Sequence, residues 1–480
     1  MLYLTIFFIY LIIILGYNIY CIIKINLLPF VDQAIKKGVC IMAFYLSGTH
    51  VPHRKNTLKK PTVRIDAPHT VTIPMVMHIG RPAVPTVNVG DLVKVGTKIG
   101  EADGNISANI YSSVSGKVVK LAEHLLYNGS TTTAVVIESD GAMTLDEALV
   151  PPIVNNRQDL VEAIKDGGIV GLGGAGFPTH VKFDVDPERI EYLIINGAEC
   201  EPYVTSDTVT MMTRSEDMAY ALQTLNRCLG IKRIIIGIEN NKKDVITAMK
   251  KMASSITEFS VEVKSLPSVY PQGGEKVLVY HTTGRKIPTN NLPIDVGCVV
   301  INCTTLASIG SYLKTGMPLV EKCVTVDGGA VKNPQNVIAP IGASIESLFD
   351  CCGGLIEEPA KLIYGGPMMG ITVPSADAPV LKNTNAVLAL TKKEAKLPKT
   401  TACIRCGACI NTCPFSLSPA AIARAYDKRD AEALCELSVD TCMECGCCSF
   451  VCPANRPLVQ KNKLSKQFIR EEKAKEENNQ

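Results

Sequence analysis

Four cysteines occupy positions 403, 406, 409 and 413 in the run TACIRCGACINTCPFSL, and Pro414 follows the last of them. The pattern recurs in TCMECGCCSFVCPANR, with Cys442, Cys445, Cys448 and Cys452 ahead of Pro453. Three thiolates on one tight turn reach three irons of the same cubane, while the fourth points away toward another cluster. By that crossing, Cys403, Cys406 and Cys409 with Cys452 hold one [4Fe-4S] cluster, and Cys442, Cys445 and Cys448 with Cys413 hold a second. The prolines stop helix from running back through each turn. Zinc asks for four tetrahedral ligands per ion and leaves two three-plus-one runs unexplained. Cys435 and Cys447 lie outside the pattern and read as non-ligands. A site built twice suggests a relay.

A second chemistry lies upstream, in GLGGAGFPTHVKF. Gly171, Gly173, Gly174 and Gly176 carry no β-carbon, so their backbone N–H groups can approach an anionic or planar ligand, and Lys182 can meet a phosphate. Only GIV precedes the run and Pro178 follows closely, so the usual strand-then-helix setting of a dinucleotide loop is missing and a packing turn is the alternative. NGAECEP places Asn196, Glu199 and Glu201 directly after a predicted strand, where carboxylates beside an amide suit ribose hydroxyls or ring N–H groups. YPQGGEK, with Tyr270, Gly273, Glu275 and Lys276, is a second glycine turn.

The elements that must carry these residues follow from periodicity. NRQDLVEAIKDGG, SEDMAYALQTLNRCLG and KKDVITAMKKMAS read as helices; RIEYLIIN, IKRIIIG and FSVEVKSL read as strands. This alternation calls for a parallel sheet, Rossmann-like in the broad sense, with ligands at the carboxyl ends of its strands. From about Thr62 to Asp140 the runs are short, alternating and cut by turns, which suggests a small all-β barrel-sandwich. The stretch VGDLVKVGTKIGEADGNISANIYSSVSGKV looks like a biotinyl or lipoyl hairpin, but ADGNISA offers no lysine at the tip, so it reads as a platform. SPAAIARAYDKRDAEALCELS is helical in pattern and can bring the two cysteine turns face to face.

Composition sets outer limits. The chain has 480 residues, 46% of them hydrophobic, and a formal net charge of +3. That is long enough for several domains and too neutral for a broad nucleic-acid field, so no nucleic-acid partner is expected. Nineteen cysteines without a convincing signal peptide indicate ligands and buried thiols in a reducing compartment. Met1 to Ile23 carries no charge and is long enough to cross a bilayer, with Lys24, Lys36 and Lys37 on its carboxyl side leaving the rest cytosolic. The alternative is that translation starts at Met42.

The motifs GLGGAGFPTHVKF, NGAECEPYVTSD, YPQGGEK, GGPMMG and the tandem cysteine runs together resemble the C subunits of the Rnf ion-translocating oxidoreductases, over nearly all of 42–457. The middle part is similar to the flavin-bearing, NADH-binding subunit of respiratory complex I, whose loop reads G-R-G-G-A-G-F-P. The resemblance implies FMN against Gly171, Gly173, Gly174, Gly176 and Lys182. It sets Asn196, Glu199 and Glu201 beside ribityl and nicotinamide groups, and has Tyr270, Gly273 and Glu275 close the pocket. Leu172, Ala198 and Gly274 depart from the complex I pattern. Residues around 318–370 look like the ubiquitin-like soluble-ligand-binding β-grasp (SLBB) module, with Cys351 and Cys352 as ordinary thiols.

The resulting expectation is an α/β multidomain chain. It comprises an apolar segment at 1–41, a barrel-sandwich domain at 42–150 and a Rossmann-like FMN and NAD domain at 151–315. A β-grasp module at 316–395, a helical two-cluster ferredoxin domain at 396–460 and a charged tail at 461–480, frayed or disordered, complete it. The resemblance implies an electron-transfer subunit, peripheral on the cytoplasmic face of a membrane, that passes electrons between NAD(H), FMN and two [4Fe-4S] clusters. Its partners would be the other subunits of the Rnf complex and, indirectly, ferredoxin. No side chain is expected to act in covalent catalysis. A soluble flavin and iron-sulfur cobalamin reductase is the alternative enzyme, and a non-enzymatic iron-sulfur scaffold the other class. With at most one apolar span, free of ionisable residues, the chain offers no ion path.

Overall fold

In the computed structural model the described residues are 46–126 and 129–478. The apolar segment at 1–41 lies outside them. Among the described residues no helix is long and apolar enough to cross a membrane.

Strands Thr70–Pro74, Gly116–Leu125 and Thr131–Ser139 build most of the barrel-sandwich. Its core is an alternating set that includes Val71, Ile73, Ile99, Ile110, Val118, Val135 and Ile137. The hairpin tip is used for packing, because the Asn105 carbonyl meets His180 Nε2 at 3.2 Å.

The central domain is the alternating one. Helix α1 (Arg157–Asp166) starts on the Asn156 side chain, which accepts from Asp159 N, and α2 is the short turn Thr179–Phe183. Then come β1 (Tyr192–Asn196), α3 (Ser206–Thr213), α4 (Ser215–Leu229), β2 (Arg233–Glu239) and α5 (Lys243–Ser255). Next are β3 (Val261–Leu266), α6 (Glu275–Thr283), β4 (Cys298–Asn302) and α7 (Cys303–Thr315). Helix α4 stops at Gly230, whose φ of 58° is left-handed and suits a residue without a β-carbon. The sheet is wholly parallel, in the order β3-β2-β1-β4. Leu193, Ile195, Ile234, Ile236 and Ile301 pack against helices on one face, and Ile194, Ile235 and Val300 fill the other. Burial on both faces explains why these strands read as continuous apolar runs.

The β-grasp sheet contains Glu321–Asp327, Gln335–Pro340, Lys361–Tyr364, Ile371–Val373 and Ala386–Leu390 around a core with Phe349 and the buried Cys352. One correction concerns its edge. Val63–Arg64, expected in the barrel-sandwich, pairs in parallel with Gln335–Pro340 instead. The residues just before it form an arm across the central domain. Thr49 exchanges backbone bonds with Tyr270, and Lys55 Nζ donates to the carbonyls of Glu199 and Glu201, each at 2.8 Å.

In the cysteine-rich domain the two turns repeat at an offset of 39 residues. Arg405 and Glu444, Gly407 and Gly446, and Ser416 and Asn455 all have positive φ. Helix α8 (Pro419–Asp427) and a short helix at Ala431–Glu436 join them. The tail is a second correction. Helix α9 (Leu458–Asn478) is continuous, and Leu458, Asn462, Ser465 and Ile469 are buried along one stripe. Its i, i+4, i+7, i+11 spacing is the helical signal that the surrounding charges hid.

Candidate cofactor pocket and thiol cavities

The order of the parallel sheet fixes where a ligand belongs. The chain leaves β1 toward β2 on one side, while β4 lies on the other, so the switch point falls between β1 and β4. Ligands of open α/β sheets bind outside the carboxyl ends of the strands at such a point. Asn196 and Asn302 end these two strands and are paired in register. The Asn196 amide donates to Gly273 O at 2.9 Å and accepts from Ala198 N at 3.1 Å. The Asn302 amide donates to Asp207 at 2.7 Å and accepts from Thr304 N at 2.9 Å, capping α7.

The glycine loop lies at this edge. Gly171 N donates to Phe177 O at 2.8 Å and closes it, and Leu172 N donates to Thr305 Oγ1 at 2.9 Å. Between these anchors Gly173, Gly174 and Ala175 are exposed. The N–H groups of residues 173–177 have no protein hydrogen-bond partner among the described residues. Consecutive free amides form a concavity for ligand oxygens. A β-carbon on Gly173 would stand 2.6 Å from Asn302 Nδ2, whereas one on Gly174 would meet nothing within 4 Å. Gly176 has φ +73°.

The other expected residues surround this loop with different duties. Lys182 Nζ donates to Val300 O at 2.8 Å and pairs with Glu275 at 3.1 Å, so the two form one wall. Gly273 comes so close to the 196–202 loop that a β-carbon there would sit 2.5 Å from Ala198 O. Glu199 and Glu201, expected against the ligand, both face protein. Glu199 takes Asp207 N at 2.7 Å and Thr208 Oγ1 at 2.8 Å, and pairs with Lys242 at 3.4 Å. Its burial pushes the carboxyl up. Glu201 takes the Met369 and Met368 N–H groups at 2.8 and 3.1 Å, and burial pushes it up to about 7. Asn302 and Thr305 were missed. The usable signal was VVIN ending a strand as LIIN does.

The eight thiols fall into two cavities in the crossed sets. One, of about 600 Å³, is lined by Cys403, Cys406, Cys409 and Cys452 and is edged by Arg405, Arg424 and Arg456. The other, of about 20 Å³ with the side chains as they stand, room for about one water, is lined by Cys413, Cys442, Cys445 and Cys448 together with Cys447, the thiol read as a non-ligand, and closed by Phe415, Met443 and Val459. No three Cys, His, Asp or Glu side chains among the described residues close around a single ion. A cubane asks for wider spacing, because each thiolate binds its own iron. The smaller cavity abuts the 270–275 turn. Tyr270 O–H donates to Cys445 O at 2.7 Å and Cys447 Sγ lies 3.7 Å from Tyr270 O. A β-carbon on Gly274 would fall 2.2 Å from the Met443 methyl.

Residues 44–142 match the RnfC barrel sandwich hybrid domain, 164–311 the Nuo51 FMN-binding domain and 323–372 the SLBB domain. A flavin fold set between these two modules defines a multidomain oxidoreductase component. The chain is 42% identical, over 82% of its length and 89% of the relative's, to the C subunit of the Na+-translocating ferredoxin:NAD+ oxidoreductase complex of Acetobacterium woodii. It is 41% identical, over 76% and 80%, to the C subunit of the proton-translocating ferredoxin:NAD+ oxidoreductase complex of Clostridium ljungdahlii. It also resembles, at 16% identity and a TM-score of 0.48 over 66% of this chain and 62% of the other, a chain of an NAD+-reducing [NiFe]-hydrogenase. The chain belongs to the RnfC family, the C subunits of ion-translocating ferredoxin:NAD+ oxidoreductase complexes.

Proposed function

We propose that this chain is the FMN-bearing electron-transfer subunit of a membrane-bound ferredoxin:NAD+ oxidoreductase complex, with a [4Fe-4S] cluster in each thiol cavity. When bound, FMN exchanges an electron pair with NAD(H) and single electrons with the clusters. The free amides of 173–177 take oxygens of the flavin, and the Lys182–Glu275 pair and the Asn302-capped start of α7 bound the site. Asn196 holds the 270–275 turn through Gly273 O, and Glu201 holds the Met368–Met369 backbone. Glu199 fixes the start of α3 from below. The observation that carries the reading is the packing of the second cysteine turn on Tyr270 and Gly274. It sets one thiol cavity beside the pocket, while the other opens to solvent between three arginines, where a partner subunit would exchange electrons.

The two relatives are named for different ions, yet this chain is almost equally similar to both. That supports placing ion translocation, and the membrane span it needs, in the other subunits. The family assignment favours this reading over a soluble cobalamin reductase. The test is anaerobic purification with metal and flavin analysis. About eight irons and one FMN per chain, with cluster bleaching on NADH addition, are expected. Zinc or empty thiols would overturn it.

A further inference from the structure

A glycine-rich loop offers a positioning device little to hold except its backbone. Across 173–177, acceptors would consume the amides that a ligand needs, so there the loop is held without loss only by donors on its carbonyls, as Ile79 N of the barrel-sandwich does on Gly176 O at 3.1 Å. The β-grasp module supplies such donors at three places. Lys322 Nζ donates to Leu172 O at 3.2 Å and Asn383 Nδ2 to Gly174 O at 2.8 Å, while Lys382 Nζ donates just ahead of the loop, to Gly168 O at 2.7 Å, and also to Asn109 O of the barrel-sandwich at 2.5 Å. Lys322 and Lys382 are 3% and 1% exposed, and among the described residues neither has a carboxylate within ion-pair distance. A buried cation satisfied by carbonyls alone is costly, and simple packing does not call for two beneath one loop.

We propose that the β-grasp module is a positioning element of the flavin loop: Lys322 and Asn383 hold its carbonyls, and Lys382 holds the Gly168 carbonyl at its entrance, so that the amides of 173–177 face the ligand. This inference rests on the flavin reading above.

FMN affinity of the full chain, read by quenching of flavin fluorescence, tests it. Asn383→Ala removes one half-exposed donor and is expected to weaken FMN about three- to tenfold, the range of a single net hydrogen bond. Asn383→Asp keeps the shape but turns the donor into an acceptor, so it should weaken FMN further, with iron content unchanged and melting temperature lowered only by what one surface hydrogen bond is worth. Lys382→Met should lose more, and if that variant fails to fold the Asn383 pair decides. Wild-type affinity in both Asn383 variants overturns the proposal. A wild-type chain that takes up no FMN overturns the flavin reading instead. Amide exchange at Gly171 and Leu172 then decides this proposal, since Asn383→Asp should speed it and an unchanged rate would refute the tether.

Discussion

Asn196 and Asn302 stand opposite each other at the ends of adjacent parallel strands; the amide of the first holds the 270–275 turn, and that of the second ties Asp207 of α3 to the start of α7. The glycine loop is set against the second of them, so space there is already full before any ligand arrives.

Gly173→Ala and Gly174→Ala should therefore part company. The first places a methyl 2.6 Å from Asn302 Nδ2, must shift the loop, and should lower both thermal stability and FMN content. The second meets no protein atom and should leave stability unchanged while reducing FMN affinity, because only a ligand can object to it. Thermal melts and flavin-to-protein ratios measure both; unaltered flavin content in Gly174→Ala would move the ligand off this loop.

The crossed ligation proposed above makes Cys413 and Cys452 informative. Cys413→Ser should strip the cavity of Cys442, Cys445 and Cys448 and spare the other, although Cys413 sits in the first run. Iron should fall from about eight to about four per chain. Electron paramagnetic resonance should show the surviving signal relaxing like that of a solvent-open cluster. Cys452→Ser should leave the complementary spectrum.

The carboxylate of Glu199 and the ammonium of Lys242 are both almost fully buried and pair at 3.4 Å, with Glu239 at 3.5 Å from the same lysine. Lys242→Met abandons two carboxylates in a dry site and should cost about 3–5 kcal/mol in urea unfolding of the metal-free chain. A loss under about 1 kcal/mol would mean that water reaches the pair.

Glu201 gives a pH signature. Its carboxyl is raised by burial to about 7, so the folded chain binds more protons than the unfolded chain between the ordinary carboxylate range and pH 7. Stability from this group is present below that range and lost as pH rises through about 7. Glu201→Gln cannot titrate. The stability of the wild type relative to this variant should thus fall between pH 5 and pH 8, measured by denaturant melts, and a constant difference would show the carboxyl to be hydrated.

The local parts of this molecule were readable from their spacing. The cysteine sets, the glycine loop and the strand and helix alternation of 157–266 each lie within a short window, where periodicity and turn chemistry act. What stayed hidden depends on partners far along the chain. Lys322 and Lys382 meet carbonyls 150 and 214 residues away, and Lys55 reaches across 144. Glu199 and Glu201 were found as site residues by position, but only the fold shows that their oxygens serve the protein. Asn302 was overlooked because a single amide at a strand end carries no motif of its own.

The 39-residue duplication in the cysteine domain has an unequal outcome. Both copies keep four thiols and a proline, yet one exposes Ile404 and carries Ala408, while the other packs Met443 and Cys447 at the matching positions against the central domain. A handful of contacts outside the repeated thiols thus decides which half meets the central domain and which is left for the outside, so any relay built on these thiols would take its direction from their neighbours.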